Sequence, residues 1–468
     1  MTLGKRSLVT IDDVTTGEME AIFQVVDEVA DNIPQQLGLC RGKIMATLFF
    51  EPSTRTRLSF EAAMHRLGGN VISTVDVQST SLAKGESIAD MAKIVGSYAD
   101  IIVVRHPWEG AARIMAEYAG VPVINAGDGG HQHPTQTLLD LYTIRRERKT
   151  LEGLKIALWG DLKYGRTIHS LIFALAKFGA NILFFPSPGL EVPEHVLQKL
   201  VTEYGGEMAK VSARERASRG GKLPLDAIYV TPSSPHQLAM MPDVSAQVEL
   251  ATGVDALYVT RPQRERFTAE EKGQAAKENY PVVDKALLKE SEFRRTIIMH
   301  PLPRVDELAC ELDADPRSMY FTQAALGVPV RMALTALLLG LKELPVAAVD
   351  SVERHIEYPV YRRETGIRCP NARCVSLQDT EQKYIKHEFK IVNREPLTLR
   401  CIYCEHGFEP KFVASTEWHE GTQEGKKYHR ADSYWAKKIK PENLIIFSSE
   451  SAAEALGYKP DHRAGGQS

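Results

Sequence analysis

The sequence predicts an α/β protein with two doubly wound parallel-sheet domains, a cleft between them, and a small C-terminal β domain. Three observations lead to this prediction. Up to about residue 345, short β-branched runs alternate with helical patterns, which is typical of parallel α/β layers. A fresh strand pattern begins at residue 155 after a polar linker at 145–153. Four of the six cysteines fall between residues 369 and 404.

Strands and helices alternate in both of the larger domains. Strands are predicted at residues 43–50, 101–105, 121–126, 155–160, 181–186, 227–230, 256–260 and 297–300. Helical periodicity lies between them at 58–67, 85–98, 135–148 and 165–178. A final amphipathic helix at about 323–341 is expected to return to the first domain. The predicted domains are 1–150, completed by the final helix at about 318–345, and 151–317.

A near-repeat marks the second domain. Residues 225–232 (LDAIYVTP) echo residues 254–262 (VDALYVTRP). Either the domain carries an additional strand, or one copy lies in an inserted surface element. We favour an insertion at about 220–253, because only the second copy carries the arginine and glutamine considered below.

Composition and charge argue against several classes of protein. The 468 residues have a formal net charge of −3, with 43% hydrophobic and 25% charged residues, as in an ordinary soluble protein. Nucleic-acid and membrane-surface proteins usually show a basic excess, so neither partner is expected. No apolar signal-peptide core follows Met1, and the longest apolar run, 332–341, is too short to span a bilayer. The cysteine pattern fits a reducing compartment, so we expect a cytoplasmic protein.

The most specific local feature is the segment FEPSTRTRLSFE at residues 50–61. An apolar strand pattern gives way to Ser53-Thr54-Arg55-Thr56-Arg57, and a helical pattern follows. Serine and threonine are favoured at helix N-caps, so backbone N–H groups should point out of this turn beside two guanidinium groups. Such a helix N-terminus readily binds a phosphate dianion. The sequence therefore predicts a phosphate site where the first strand ends.

Six further segments place cationic or amide-bearing side chains where a cleft ligand would lie. Alone, a His-Pro or Arg-Pro pair commonly marks only helix entry or chain reversal. Ligands of parallel α/β sheets bind beyond the carboxyl ends of the strands, so together these segments predict one shared site. The candidate residues in them are Ser81, Lys84, Arg105, His133, Gln136, Arg166, Arg261, Gln263, Pro301 and Leu302.

In this order, the segments resemble the catalytic chain of aspartate carbamoyltransferase over roughly residues 5–345. The motifs are STRTR at 53–57, SLAKGE at 81–86, RHP at 105–107, HPTQ at 133–136, DLKYGRT at 161–167, RPQ at 261–263 and HPLPR at 300–304. The resemblance departs where about thirty extra residues precede Arg261 and coincide with the near-repeat. It implies transfer of the carbamoyl group of carbamoyl phosphate to the amino group of L-aspartate, in pyrimidine biosynthesis.

The resemblance implies a role for each candidate residue. The phosphate would be bound by Ser53, Thr54, Arg55, Thr56 and Arg105. The carbonyl oxygen, where negative charge develops, would face Thr56, Arg105 and His133. The carbamoyl NH2 group would be oriented by Gln136 and by the carbonyls of Pro301 and Leu302. The two carboxylates of aspartate would be held by Lys84, Arg166, Arg261 and Gln263. No organic cofactor is implied.

The resemblance also implies an oligomer, because the residues matching Ser81 and Lys84 reach the site of a neighbouring subunit in that family. A homotrimer, or an assembly of trimers, is therefore expected. Histidine at a helix start is commonly a structural hydrogen-bonder. Within this set, we interpret His133 as a donor to the carbonyl and not as a general base. The implied catalytic residues are Arg55, Thr56, Lys84, Arg105 and His133.

The C-terminal cysteines have metal-site spacing. Cys369-x4-Cys374 and Cys401-x2-Cys404 match a tetrahedral zinc site with four thiolates. Four ligands leave no open position, so the zinc should be structural; redox-active thiols are the alternative. The segment resembles the zinc domain of the separate regulatory chain of bacterial aspartate carbamoyltransferases.

The spacing of these segments predicts a fusion protein. The regulatory chain's nucleotide-binding domain has no room before Cys369, so a catalytic chain would be joined directly to a zinc-ribbon domain at 351–415. Residues 416–468 would form a small tail module of unknown role.

Two other functions remain as alternatives at this point. An ornithine-using transcarbamylase typically carries HCLP where this chain has HPLP at 300–303, and Arg166 with Arg261 favours a dicarboxylate substrate. A non-catalytic scaffold, whose ribbon binds a partner or nucleic acid, is disfavoured by the intact set Arg55, Lys84, Arg105 and His133.

Overall fold

The computed structural model describes most of the chain. It covers residues 3–75, 85–186, 189–205, 225–231, 254–261, 283–289, 293–305, 307–345, 356–378, 384–417 and 426–461. Within these ranges the chain forms two parallel sheets and two smaller C-terminal sheets, which confirms the predicted fold class.

The first domain contains a four-stranded parallel sheet. Its strands are β1 (Ile44–Phe49), β2 (Asn70–Thr74), β3 (Ile101–His106) and β4 (Val123–Asp128), in the order β2-β1-β3-β4. Its helices are α1 (Thr16–Asp31), α2 (Thr54–Arg66), α3 (Ile88–Tyr98), α4 (Ala111–Tyr118) and α5 (Pro134–Arg148). The sequence did not predict β2. This strand lies at the sheet edge with its side chains largely exposed, so it lacks the continuous apolar run of a buried parallel strand.

The second domain contains a five-stranded parallel sheet. Its strands are β5 (Lys155–Gly160), β6 (Asn181–Pro186), β7 (Ala227–Thr231), β8 (Ala256–Val259) and β9 (Ile297–Met299). They lie in the order β6-β5-β7-β8-β9. The helices described here are α6 (Arg166–Lys177) and α7 (Glu194–Tyr204).

The near-repeat forms two adjacent strands in the middle of this sheet. β7 and β8 pair in parallel, with Ala227 opposite Ala256, and both strands are buried throughout. The expectation that one copy lies in an inserted surface element is therefore wrong for the first copy, because both copies form strands of the central sheet. The two copies are alike because each must cover both faces of a buried strand with apolar side chains. The rest of the proposed 220–253 insertion, at 220–224 and 232–253, lies outside the described residues.

The last helix before the small C-terminal sheets, α8 (Tyr320–Leu338), packs against α1, α2 and α5 of the first domain. The sequence predicted an amphipathic helix, and this is wrong, because α8 is apolar around its circumference and buried on most sides. By length and composition it could cross a membrane. However, 72% of its 18-residue apolar stretch is buried within the fold, as in the core helix of a globular protein.

Two small sheets complete the chain. The ribbon contains β10 (Val360–Tyr361), β11 (Phe389–Arg394), β12 (Leu397–Cys401), β13 (Gly407–Phe408) and the short helix α9 (Val375–Gln378). The tail contains β14 (Phe412–Ser415), β15 (Lys427–Arg430), β16 (Leu444–Phe447), β17 (Lys459–Pro460), α10 (Tyr434–Lys438) and α11 (Glu450–Ala455). The predicted boundary after residue 415 is too late. Although β14 precedes it in sequence, β14 pairs with β15 and β16 and so belongs to the tail sheet.

The ribbon packs directly on the first domain. Backbone bonds join Glu109 to the ribbon, since its N–H donates to Arg373 O at 2.9 Å and its carbonyl accepts from Val375 N–H at 2.9 Å. Gly110 follows with φ of +87°, and a Cβ there would lie 2.7 Å from the Tyr403 backbone carbon. Glycine is therefore needed at 110 both for its backbone angle and for close approach of the ribbon.

Substituting Gly110→Ala should loosen the ribbon from the first domain. The control is Gly120→Ala, because Gly120 also has a positive φ (+69°) but nothing lies within 4 Å of its added Cβ. Both variants should lose about 1–2 kcal/mol of folding free energy from the backbone conformation. Only Gly110→Ala should also raise amide hydrogen exchange throughout the ribbon. Equal exchange in the two variants would contradict this account of the contact.

Candidate active site and cysteine cluster

The predicted phosphate turn lies between β1 and α2. Ser53 is the N-cap residue, and its side chain makes no capping hydrogen bond to the helix backbone. No acidic residue occupies the first turn of α2. Thr54 and Arg55 are exposed, whereas Thr56 is buried at 9% exposure. The turn therefore presents hydroxyls, a guanidinium and a helix N-terminus together, a combination suited to an anion.

Arg105 lies at the carboxyl end of β3, beside this turn. Its side chain is buried at 7% exposure. Nη1 donates to the carbonyl of Ala126 at 3.3 Å, and Nη2 lies 2.9 Å from Glu51 Oε2. Because β3 is the neighbour of β1 and β4, residues at the ends of all three strands reach the same point.

Gly127 brings Arg105 and His133 close together. A Cβ added to Gly127 would lie 3.2 Å from Arg105 Nη1 and 3.4 Å from His133 Cδ2, and its φ is +116°. His133 is the N-cap residue of α5. Its backbone N–H donates to Ser170 Oγ at 2.8 Å, and Ser170 Oγ in turn donates to Gln132 Oε1 at 2.9 Å. Since Ser170 is on α6, the second domain holds this catalytic candidate in place.

The loop after β9 is organised by His300, which is buried at 1% exposure. Its Nδ1 accepts the N–H of Leu302 at 2.8 Å, so Nε2 carries the proton and donates to Glu307 Oε1 at 2.8 Å. Burial, the largest influence, lowers the pKa of His300 and favours this neutral form. The loop is thereby fixed with Pro301 and Leu302 half-buried.

Arg261 of the second domain faces Arg55 of the first. Burial lowers the pKa of the Arg55 guanidinium, and the charge of Arg261 lowers it further. The charge of Arg55 also contributes to the lowered pKa of His300, after burial. The described site thus collects positive charge from the phosphate turn, the end of β3 and the segment after β8, in a cleft with one wall from each domain.

Some predicted site residues lie outside what the structure describes. Ser81, Lys84 and Gln263 fall in the ranges that are not described. Arg166 is the first residue of α6, placed there by a turn in which Asp161 Oδ1 accepts the N–H groups of Lys163 and Tyr164. The position of its side chain is not described.

The structure adds functional candidates that the sequence did not reveal. Asp140 is buried on α5 and accepts Nε2–H of Gln136 at 2.8 Å and Nε2–H of Gln323 at 2.8 Å. Its four-residue spacing from Gln136 could have suggested this contact, because i and i+4 share a helix face. Gln323 is 183 residues from Asp140 in sequence, so no local sequence pattern could indicate this contact. Glu51 and Gly127 were likewise not predicted.

The four C-terminal cysteines meet in one cluster. Their ligand atoms lie within 4.8 Å of one another, and all four side chains are buried. Sγ atoms are 3.5 Å apart for Cys369 and Cys404, and 3.8 Å for Cys374 and Cys401. These separations are too long for disulfides and fit tetrahedral zinc, for which Zn–S bonds of about 2.3 Å put sulfurs about 3.8 Å apart. The donor set therefore fits a structural metal.

Directly after the last cysteine, Glu405 joins the ribbon to both of the larger domains. Its Oε2 lies 2.8 Å from Lys199 Nζ on α7 and 3.3 Å from His131 Nε2 in the first domain. Lys199 also pairs with Asp12. Burial disfavours the charge on Glu405, but Lys199 and His131 hold the pKa of its carboxyl well below the ordinary range. Opposite charges thus stay ionised in a buried cluster shared by three parts of the chain.

Comparison with known proteins agrees with this geometry. The family model for the aspartate/ornithine carbamoyltransferase carbamoyl-P binding domain matches residues 6–146, and that for the Asp/Orn binding domain matches residues 231–338. The model for the metal binding domain of the aspartate carbamoyltransferase regulatory chain matches residues 363–413.

The chain matches its relatives over nearly their whole length. The aspartate carbamoyltransferase catalytic subunit of Thermoplasma acidophilum is 45% identical over 340 residues, which is 72% of this chain and 99% of that protein. The catalytic subunit of Thermococcus onnurineus is 46% identical, over 72% of this chain and 98% of that protein.

Solved structures show the same similarity. The catalytic subunit of M. jannaschii aspartate transcarbamoylase has a TM-score of 0.56 at 41% identity, covering 72% of this chain and 98% of that chain. The Trypanosoma cruzi enzyme in complex with N-(phosphonacetyl)-L-aspartic acid has a TM-score of 0.57 at 35% identity, over 72% and 97% of the two chains.

Replacing Lys199→Met should strongly destabilise the protein. It leaves Asp12 and Glu405 without their shared cation in a buried position, a loss of about 3–5 kcal/mol. The same change at Lys285, whose pair with Glu311 is exposed at 54% and 49%, should alter the free energy of unfolding by less than about 1 kcal/mol. Urea unfolding of both variants provides the comparison. A Lys199→Met variant as stable as Lys285→Met would show that the buried cluster contributes nothing.

Proposed function

The chain belongs to the aspartate carbamoyltransferase family, and from that premise we propose how its residues carry out the family's reaction. The reaction transfers the carbamoyl group of carbamoyl phosphate to the amino group of L-aspartate, giving N-carbamoyl-L-aspartate and phosphate, a step of pyrimidine biosynthesis. The observation that carries this conclusion is the 45% identity over 72% of the chain. The placement of Arg105 beside His133, with Arg261 of the second domain near Arg55 of the first, is consistent with it.

The phosphate is bound by the turn before α2 and by Arg105. In this proposal its oxygens accept from Ser53, Thr54, Arg55, Thr56 and Arg105. Charge-assisted bonds of this kind are about twice as strong as neutral ones. The buried guanidinium of Arg105, held between Ala126 and Glu51, supplies a fixed donor where side-chain entropy has already been lost.

The carbonyl oxygen is polarised by Thr56, Arg105 and His133. The neutral amino nitrogen of aspartate forms a bond to the carbonyl carbon, and negative charge collects on the carbonyl oxygen. The bond from carbon to the phosphate oxygen then breaks, and the departing phosphate takes the proton that the nitrogen loses. Donors fixed before the reaction stabilise that charge without reorganising, and one such donor contributes about 3 kcal/mol. The anchoring of the His133 backbone by Ser170 supports this role.

The carbamoyl NH2 group is held by acceptors. Gln136 and the carbonyls of Pro301 and Leu302 would take its two hydrogens. The His300–Glu307 bond that fixes this loop supports the assignment. The two carboxylates of aspartate would be held by Lys84, Arg166, Arg261 and Gln263. Of these, Arg261 is near enough to Arg55 for its charge to lower the pKa of the Arg55 guanidinium.

The active enzyme is a homotrimer or an assembly of trimers. In this proposal Ser81 and Lys84 enter the site of a neighbouring subunit, so each site needs two chains. The proposed location is the cytoplasm, and neither nucleic acid nor a membrane is a proposed partner.

Zinc is the proposed metal of the ribbon, bound by Cys369, Cys374, Cys401 and Cys404. When bound, it would contribute folding free energy to the ribbon and no step of the reaction. Purified protein should contain about one zinc per chain. Cys401→Ser should lose the metal and the ribbon's thermal transition, whereas Cys310→Ser, an exposed cysteine outside the cluster, should keep both. Full zinc content in Cys401→Ser would contradict the assignment.

Arg55→Ala should lower kcat/KM for carbamoyl phosphate by about a hundredfold to a thousandfold, because it removes a charge-assisted donor that also stabilises developing charge. Arg57→Ala is the matched control, since Arg57 lies 3.9 Å from Glu61 on the same helix and has no proposed ligand contact. The assay measures carbamoyl-aspartate in both variants. Near-normal activity of Arg55→Ala would refute the phosphate assignment.

Mixing two inactive variants should restore activity if sites are shared between subunits. Lys84→Gln and His133→Ala would each damage every site in a homo-oligomer. After dissociation and reassembly together, some sites combine an intact Lys84 from one chain with an intact His133 from another. Each variant reassembled alone is the control. Proven subunit exchange without recovered activity would exclude a shared site.

A further inference from the structure

A buried carboxylate joins three elements behind the cleft. Asp140 is 1% exposed and lies one helical turn after Gln136 on α5. Its Oδ1 accepts Nε2–H of Gln136 at 2.8 Å and Nε2–H of Gln323 at 2.8 Å, and its Oδ2 accepts the hydroxyl of Tyr258 at 3.1 Å. Gln323 lies on α8 and Tyr258 on β8. One side chain therefore links the first domain, the second domain and the last helix.

The contacts of Asp140 determine which way two amides point. A glutamine amide has a donor end and an acceptor end, whereas an ionised carboxylate only accepts. Asp140 therefore binds the Nε2 ends of Gln136 and Gln323 and turns both Oε1 atoms away from itself. The Oε1 atom of Gln323 accepts the backbone N–H of His300 at 3.0 Å. Through this bond, Asp140 also holds the start of the loop that carries Pro301 and Leu302.

We propose that Asp140 is the positioning residue that makes the site select an NH2 group on the acyl carbon. The inference rests on the proposed assignment of Gln136, Pro301 and Leu302 to the carbamoyl NH2 group. By binding Nε2 of Gln136, Asp140 leaves the Oε1 acceptor of Gln136 for the carbamoyl NH2 group. Through Gln323, it also fixes the loop that carries the two carbonyls. An acyl phosphate with a methyl group at this position has no donor for them, so binding it leaves buried acceptors unpaired.

The surroundings of Asp140 keep this arrangement in either protonation state. Burial raises the pKa of Asp140 to about 7, while Gln136, Gln323, Tyr258 and Arg331 favour the ionised form. A proton added at Oδ2 can be donated to the Tyr258 hydroxyl, and Oδ1 still accepts from both glutamines. The orienting group is therefore the oxygen Oδ1 and not the negative charge.

The test compares two ligands that share the phosphate and differ at the acyl carbon. In the full-length enzyme, selectivity is the ratio of Ki for acetyl phosphate, as a competitive inhibitor, to KM for carbamoyl phosphate. Asp140→Ala should reduce this ratio about tenfold, through a higher KM and an unchanged Ki. Asp140→Asn retains an Oδ1 acceptor and should keep the wild-type ratio. Equal weakening of both ligands in Asp140→Ala, or lost selectivity in Asp140→Asn, would overturn the proposal.

The variant Gln136→Ala separates this inference from the assignment on which it rests. If Gln136→Ala keeps wild-type selectivity, the assignment of Gln136 to the NH2 group fails. If Gln136→Ala loses selectivity and a folded Asp140→Ala does not, only the positioning role fails. The double variant should lose little more than Gln136→Ala alone, because Asp140 acts through it. If Asp140→Ala does not fold, Gln323→Leu removes only the link from Asp140 through Gln323 to the loop after β9, and it should lower the selectivity ratio. An unchanged ratio overturns the proposal.

Discussion

The proposed active site depends on like charges being held together at the carboxyl ends of two parallel sheets. Arg55 and Arg261 approach from different domains, and their mutual repulsion lowers the pKa of Arg55 beyond the effect of burial. A phosphate dianion and a dicarboxylate are the ligands that relieve such repulsion, so the electrostatics that disfavour the empty cleft favour the two substrates. The rest of the two larger domains supports this arrangement. β1 and β3 end at the site, Gly127 leaves room for the side chains of Arg105 and His133, and α8 packs against the helices of the first domain.

The ribbon adds a second constraint from outside the catalytic domains. Glu405 follows Cys404 of the cysteine cluster and contacts Lys199 of the second domain, while Gln132 Nε2 donates to the same carboxylate at 3.4 Å. Gln132 then accepts from Ser170, which accepts from His133 N–H. A continuous series of hydrogen bonds therefore leads from the cysteine cluster to the backbone of a catalytic candidate. In this chain the ribbon is placed to stabilise a loop of the proposed active site in cis.

Much of the fold could be predicted from local pattern, and the failures have physical causes. The central strand β5 carries a continuous apolar run and was found with the correct bounds. The edge strand β2 has an exposed surface and no such run. The near-repeat was misinterpreted because two neighbouring central strands need the same composition. The helix α8 was expected to have a polar face, but it is enclosed by three others. For the site, motifs revealed the residues that would touch substrate. The residues that orient them, such as Gln323, depend on contacts between distant parts of the sequence.

The central claim is that this cleft carbamoylates a dicarboxylate amino acid. The most direct measurement offers the purified full-length chain carbamoyl phosphate with either L-aspartate or L-ornithine, and quantifies each carbamoylated product against time. The account predicts steady formation of N-carbamoyl-L-aspartate and no product from ornithine, because ornithine would bring an additional positive charge to a cleft already crowded with arginines. Carbamoylation of ornithine, or no product from aspartate in a folded enzyme, would contradict it.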